Sequence, residues 1–305
     1  MAISKGSMLI EVTVVGPDRK GVVADITNFI FKSGGNIEKV NQNVVRGLFG
    51  MHLEASFAEE IVRKQQLDIG LKQLAERLSM EIKVHYQEHN RLQNVAILVS
   101  KEPQCLTGLL QAKKKGQIRS NIPVIIGSDS TLKPIADDLS IPFYAVVDRD
   151  QAEAEKKILR RIEQYNIDLI VLARYMRILT PNFVWRYPNR IINVHPSLLP
   201  AFPGAYAYVQ AYERGAKIIG CTAHFVTEDL DQGPIIHQES FKVSVKDTLD
   251  TIKKKGQELE AATLLEGLRL YLENKLEVYW GKVYIKEYNN NSKKIYDQLK
   301  KESKK

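Results

Sequence analysis

Three polar side chains at the ends of apolar runs could together carry acyl chemistry. Asn193 and His195 follow directly on Ile191-Ile192, and Asp231 lies in the run His224-Phe225-Val226-Thr227-Glu228-Asp229-Leu230-Asp231-Gln232-Gly233-Pro234. An amide can donate to a carbonyl oxygen that is gaining negative charge. An imidazole can donate to the same oxygen or move a proton. A carboxylate can orient that imidazole and activate water. One residue separates Asn193 from His195, so on a strand both project from one face. Short β-prone runs ending in polar groups are how open α/β sheets present side chains to ligands, at strand carboxyl ends. The same residues also fit a plainer reading, a polar strand end and an Asp-Gln-Gly-Pro turn.

The surrounding residues are more specific. Asn193-x-His195-Pro196-Ser197-Leu198-Leu199-Pro200 is followed by Pro203-Gly204, then by Gly220, His224-Phe225-Val226-Thr227, and Leu230-Asp231-x-Gly233-Pro234-Ile235-Ile236. This pattern resembles the signature of the folate-dependent formyl transferases and hydrolases, and the resemblance extends over most of residues 94–285. It implies that Asn193, His195 and Asp231 form the catalytic trio. A loop with guanidinium groups near a strand end, Arg174-Tyr175-Met176-Arg177-Ile178-Leu179, suits carboxylate binding. By resemblance it is the folate-site loop, in which the backbone of 176–179 lines the pterin pocket and Arg177 suits the glutamate tail. The folate contacts expected are Arg174, Met176, Arg177, Ile178 and Leu179 on one wall and Val226, Thr227 and Glu228 on the other.

An absence narrows the reading. Transferases that act on glycinamide ribonucleotide carry a glycine-rich turn after the first strand of this domain, where backbone N–H groups cradle the sugar phosphate. Here the strand runs into Ser100-Lys101-Glu102-Pro103-Gln104-Cys105-Leu106, without glycine and with a carboxylate. That turn, Leu172-Ala173-Arg174-Tyr175-Met176 and Ala211-Tyr212-Glu213-Arg214-Gly215 resemble the formyltetrahydrofolate deformylase group. Two departures keep transfer to a small amine open. Pro196 stands where that group has a second His, and Gly204-Ala205-Tyr206-Ala207-Tyr208 replaces its usual Gly-Ala-x-Pro-Tyr.

The elements that must position these residues fall into two patterns. Residues 8–15 read as a strand and Val22, Ile26, Phe29 and Ile30 as a helix stripe. Residues 36–45 and 48–57 form a hairpin about Arg46-Gly47. Leu67, Leu71, Leu74 and Leu78 mark a second helix and residues 80–86 a last strand. The order βαββαβ is ferredoxin-like, and Gly16-Pro17-Asp18-Arg19-Lys20-Gly21-Val22-Val23 with Gly34-Gly35-Asn36-Ile37 resembles the ACT domain. The resemblance implies an amino-acid effector, assembly into a homo-oligomer, or both. From residue 94 strands alternate with helices: strands at 95–99, 123–126, 141–147, 169–172 and 191–194, and helix stripes at 105–115, 154–165 and 264–271. This predicts a mostly parallel, Rossmann-like sheet covered on both faces, closed by a hairpin at 277–285. The predicted organisation is an ACT-like domain at 1–88, a formyltransferase-like catalytic domain at 89–288 and a basic tail at 289–305.

Composition sets outer bounds. The 305 residues allow two domains, and 44% hydrophobic content is ordinary for a globular chain. No apolar run reaches bilayer-spanning length, and the first residues lack a secretory signal pattern. The only cysteines, Cys105 and Cys221, lack metal-site spacing and suit a reduced cytoplasm. The net charge of +8 is partly a tail effect, since residues 286–305 hold seven Lys against three acidic residues. A basic balance fits an anionic small molecule better than nucleic acid here. Within these bounds the resemblance implies an enzyme that hydrolyses 10-formyltetrahydrofolate to tetrahydrofolate and formate, with folate as substrate and neither cofactor nor metal. The formate would feed purine synthesis and balance one-carbon pools. The alternatives are phosphoribosylglycinamide formyl transfer and a non-catalytic folate- or amino-acid-binding regulator.

Overall fold

The structure, a computed structural model, describes residues 7–58, 64–86 and 91–286. The expected basic tail lies outside the described residues, as does most of the polar stretch at which the domain boundary is expected. The chain divides into two compact units, residues 1–91 with 179–188, and residues 92–178 with 189–305.

The first unit follows the predicted order: β1 (Ser7–Pro17), α1 (Val22–Lys32), β2 (Asn36–Val45), β3 (Leu48–Ala58), α2 (Lys64–Leu78) and β4 (Glu81–Tyr86). Its antiparallel sheet has the order β2-β3-β1-β4. Arg46 and Gly47 both have positive φ, 50° and 79°, the backbone that a two-residue hairpin needs to match strand twist. Val22, Ile26 and Ile30 of α1 and Leu67, Leu71, Leu74 and Leu78 of α2 meet Ile10, Val12, Leu53 and Phe57 in one core. The outlying segment 179–188 carries a short helix, Pro181–Val184. Within this unit the Trp185 ring lies against Gly50, where any Cβ would fall 2.2 Å from Trp185 Cε3. Arg186 binds Glu81 through Nη2 at 2.7 Å and Nε at 3.0 Å. Burial pushes the Glu81 carboxyl up, but the Arg186 hydrogen bonds and charge outweigh it and hold the group below its usual range.

The second unit runs β5 (Gln93–Val99), α3 (Gln104–Lys114), β6 (Ser120–Gly127), α4 (Lys133–Asp137), β7 (Phe143–Ala145), α5 (Gln151–Gln164) and β8 (Leu169–Ala173). After α6 (Pro181–Val184) come β9 (Ile191–His195), α7 (Ala207–Glu213), β10 (Ile218–Phe225), β11 (Ile235–Lys242), α8 (Leu249–Leu272) and the hairpin β12 (Leu276–Tyr279) and β13 (Lys282–Ile285). The seven-stranded sheet has the order β11-β10-β9-β8-β5-β6-β7. Strands β7, β6, β5, β8 and β9 are mutually parallel, and β10 and β11 are antiparallel additions. In β5 the run Val95-Ala96-Ile97-Leu98-Val99 is wholly buried, as a central strand covered on both faces must be. Helix α5 begins at Asp150, whose carboxylate accepts from the Glu153 N–H at 2.9 Å. The mostly parallel α/β architecture and the ferredoxin-like unit are as the sequence predicts.

Candidate active site

The site is built where β9, β8 and β5 end and where β10 turns back. Asn193 and His195 close β9. The antiparallel register sets Thr222 of β10 opposite His195, and His224 opposite Asn193. Thr222 is fully buried and ties down the chain that leaves β9. Its hydroxyl donates to the Ser197 carbonyl at 2.7 Å and accepts from the Leu199 N–H at 3.0 Å and Gln238 Nε2 at 2.9 Å. Beyond β10 the loop to β11 is closed by the Phe225 N–H donating to the Pro234 carbonyl at 2.9 Å. Only glycine fits at 233, because a Cβ would lie 1.7 Å from the Phe225 oxygen. This closure carries Asp231, in a left-handed backbone with φ 57°, over the end of β9.

The three sequence-predicted catalytic groups come together. Asp231 Oδ2 accepts from the Gly204 N–H at 2.8 Å and lies 3.3 Å from His195 Nδ1. Its Oδ1 is 3.9 Å from His224 Nε2, beyond hydrogen-bond length. Burial raises the Asp231 carboxyl, but the His195 and Gly204 hydrogen bonds and the nearby imidazoles bring it below the usual carboxylate range. His195 Nε2 faces the Phe202 carbonyl at 2.9 Å. Both partners of His195 are thus acceptors, and a ring with a proton on each nitrogen satisfies both. Asn193 Nδ2 lies 3.2 Å from His224 Nε2, and His224 Nδ1 lies 2.9 Å from the Phe225 carbonyl. Burial drives the His224 imidazole below its ordinary value, against the pull of Phe225 and Asp231. An amide donor, an imidazole donor and a deprotonated carboxylate at strand ends form a constellation able to stabilise an oxyanion and activate water.

The predicted folate contacts are distributed unevenly. Met176 and Ile178 are each 64% exposed, apolar side chains held outward at a strand end. Their loop is fixed from behind: the Met176 N–H donates to Ser100 Oγ at 3.0 Å, and the Ile178 carbonyl accepts from Gln151 Nε2 at 2.9 Å. The Met176 N–H is therefore already committed. Arg177 reaches the Arg149 carbonyl at 3.5 Å. Val226, Thr227 and Glu228 are half-buried on the β10–β11 loop. Leu179 is buried and belongs to the first unit. Arg174, with φ 60°, places Nε 3.3 Å from the buried Glu260 of α8, so its guanidinium is engaged by a carboxylate of the protein itself.

Glu260 does not stand out in the sequence, and Tyr208 does so only as the last residue of Gly204-Ala205-Tyr206-Ala207-Tyr208. The Tyr208 hydroxyl donates to Glu260 Oε1 at 2.7 Å, and burial holds the Glu260 carboxyl above its usual range although Arg174 and Tyr208 pull it down. The legible signal is spacing. Ile252, Gly256, Glu260, Leu264 and Leu268 recur every fourth residue on the buried face of α8, so a carboxylate and a glycine occupy a core stripe. Gly256 is required because a Cβ there would lie 2.2 Å from Tyr208 Cζ. At the nearby end of β5, Glu102 accepts from Gln257 Nε2 at 3.3 Å, and Pro103 precedes the first turn of α3. Both cysteines are free and buried, and burial pushes the Cys221 thiol up to about 12, which removes it as a nucleophile near neutrality. Among the described residues no three His, Cys, Asp or Glu side chains are grouped to hold a metal ion, and no helix is long and apolar enough to cross a membrane.

Residues 93–268 match the formyl transferase family and residues 8–85 the ACT domain. An ACT unit joined to a formyl transferase unit defines the class. The formyltetrahydrofolate deformylase of Synechocystis is 40% identical over 273 residues, covering 88% of this chain and 95% of that protein. The crystal structure of a formyltetrahydrofolate deformylase from Pseudomonas syringae pv. tomato superposes with a TM-score of 0.63 at 31% identity, over 93% of this chain and 96% of that one. A glycinamide ribonucleotide transformylase from Symbiobacterium toebii matches 66% of this chain and 96% of its own, with a TM-score of 0.61 and 32% identity. The chain belongs to the formyltetrahydrofolate deformylase family.

Proposed function

We propose that the protein hydrolyses 10-formyltetrahydrofolate to tetrahydrofolate and formate. The observation that carries the reading is the Asp231 carboxylate, with Oδ2 3.3 Å from His195 Nδ1 and Oδ1 3.9 Å from His224 Nε2, the nitrogen that lies 3.2 Å from Asn193 Nδ2. Oδ1 is the oxygen placed to take a proton from water. The water oxygen then bonds to the formyl carbon, and the carbonyl electron pair moves onto the formyl oxygen. Asn193 Nδ2–H and His195 donate to that oxyanion, while Asp231 sustains the proton on His195 Nδ1. Collapse of the tetrahedral adduct breaks the bond to N10, which leaves with the proton that Asp231 took up, relayed through water. Formate and tetrahydrofolate balance the atoms of substrate and water.

Water as acceptor is supported by the end of β5. A ribonucleotide phosphate would meet the Glu102 carboxylate there, at a turn with no glycine and with Pro103 lacking an N–H. Pro196 after His195 is the feature that favours the second reading, formyl transfer to glycinamide ribonucleotide. The exposed apolar side chains of Met176 and Ile178 suit one wall of a pterin site, with residues 226–228 on the other and Arg177 toward the glutamate tail. We read the ACT unit as the seat of an amino-acid effector and of homo-oligomer assembly. The reaction would run in the reduced cytoplasm and supply formate to purine synthesis. No cofactor or metal is invoked, because Asn193 Nδ2–H and, once the Phe202 carbonyl withdraws from it, His195 Nε2–H supply the oxyanion with two donors. The test is to incubate the protein with 10-formyltetrahydrofolate and no acceptor and assay formate, with and without millimolar glycinamide ribonucleotide. Formate release at an unchanged rate is expected. Formylated ribonucleotide, with negligible formate in its absence, would establish transfer instead.

A further inference from the structure

His224 is outside the catalytic trio. Its surroundings are specific. It stands opposite Asn193 in the β9–β10 register, and the β10–β11 pairing shifts between Ala223 and His224, an irregularity of the kind that re-aims a side chain. The residue is 2% exposed. Its Nδ1 is 2.9 Å from the Phe225 carbonyl, which can only accept, so Nδ1 carries the proton. Nε2 of the neutral ring is then a bare acceptor, and 3.2 Å away lies Asn193 Nδ2. An amide can present either its oxygen or its NH2 to a neighbour, and a bare nitrogen accepts only the NH2.

We propose that His224 is a positioning residue, which fixes the orientation of the Asn193 amide so that its second N–H is held toward the formyl oxygen. One N–H of Nδ2 is taken by His224 Nε2, and the geometry of the planar amide then fixes the other. Were the imidazole in the opposite tautomer, Nε2–H would face Asp231 Oδ1, 3.9 Å away, and would turn the Asn193 oxygen toward itself. The oxyanion would then meet no amide donor. The Phe225 carbonyl thus sets a tautomer, the tautomer sets an amide, and the amide serves the reaction.

The rate arm of the test rests on the hydrolytic reading, and the spectroscopic arm does not. In the full chain labelled with 15N, His224 should show a protonated Nδ1 and a bare Nε2, and the Nε2 resonance should move downfield in Asn193→Ala as the hydrogen bond it accepts from Asn193 is lost. A protonated Nε2 overturns the proposal whether or not the protein turns over. In kinetics, His224→Leu should lower kcat roughly tenfold to a hundredfold with KM near wild type, as for loss of an oxyanion donor. His224→Gln, which restores an acceptor oxygen close to the Nε2 position, should recover most of the loss. In an Asn193→Ala background His224→Leu should cost no more than about twofold, because residues that act as a unit are non-additive. Full multiplication of the two effects, in proteins with wild-type circular dichroism, overturns it. If His224→Leu does not fold, the tautomer and the His224→Gln rate decide.

Discussion

Replacing Asp231 by Asn removes a charge with little change of shape. Position 231 has φ 57°, a left-handed conformation that Asn adopts as readily as Asp, so the loop keeps its course. The Gly204 N–H, 2.8 Å from Oδ2, requires an acceptor. The Asn oxygen therefore takes the Oδ2 position and its NH2 takes that of Oδ1. Two things are lost: the negative charge 3.3 Å from His195 Nδ1, and the acceptor at Oδ1. For unit charges 3.3 Å apart at an effective dielectric constant of about 20, the gross attraction is roughly 5 kcal/mol, part of which desolvation offsets. Loss of a general base alone slows reactions by about a hundredfold to ten-thousandfold. These effects share one group and do not multiply, so kcat should fall about a thousandfold. Binding of tetrahydrofolate should stay within about threefold, because the carboxylate acts on water and imidazole and not on the pterin. Formate release gives the first quantity and calorimetric titration the second. A variant that keeps a tenth of wild-type kcat would refute the role. Stability carries a second signature. The folded Asp231 carboxyl is held low, so its contribution is present above the unfolded value near 4 and is lost as pH falls through the folded one. The melting temperatures of variant and wild type should therefore converge in acid.

Other consequences can be checked by unfolding and scattering. Gly256→Ala forces a methyl to within 2.2 Å of Tyr208 Cζ and should destabilise by about 1–3 kcal/mol in urea, an effect reduced when Tyr208 is changed to Leu. An undiminished midpoint would show that Tyr208 is free to withdraw. The folded Glu260 carboxyl is raised, so its contribution is fully present below the unfolded value and is lost as pH rises through the folded one. Glu260→Gln keeps an acceptor for Tyr208, so its urea midpoint should match wild type near pH 5 and equal or exceed it at pH 8. A deficit that grows with pH refutes this. Residues 1–91 made alone should fold and self-associate in light scattering, since Ile26, Leu53 and Leu71 close a core within that segment. A monomeric fragment, with the full chain also monomeric, counts against assembly through this unit.

Much of this structure was legible because local rules and the fold agree. Val95 to Val99 reads as a doubly covered strand and is one, and Arg46-Gly47 reads as a hairpin and has the positive φ values that a hairpin needs. Asn193, His195 and Asp231, singled out by the motif resemblance, lie close together around the end of β9. What was not legible depends on distant partners. Strand β11 buries only Ile236 fully along its length, so its sequence has the polarity of a loop, as an edge strand does. Arg174 reads as a ligand contact because a guanidinium at a strand end suits a carboxylate. The carboxylate it faces is Glu260, 86 positions away in sequence, and no spacing rule connects them. Segment 179–188 lies between β8 and β9 in sequence yet belongs with the first unit, through Trp185 on Gly50 and Arg186 on Glu81. No periodicity encodes that return.

The Phe202 carbonyl has a consequence of its own. It holds His195 Nε2 at 2.9 Å, so the nitrogen that an oxyanion would recruit already has an occupant from the same chain. Any ligand that takes a hydrogen bond from Nε2 must evict it, and the affinity measured for such a ligand is the intrinsic affinity scaled by the fraction of molecules in which the carbonyl has withdrawn. The segment supplying this internal competitor is held under tension. Phe202 and Tyr206, both bulky L-residues, sit at φ 52° and 61°, with Gly204 at 80° between them. Left-handed backbone costs a non-glycine residue about 1–2 kcal/mol. Residues 202–206 therefore act as a tethered antagonist of the donor beside them, and substitutions that relax or tighten that tether set how readily the donor is released.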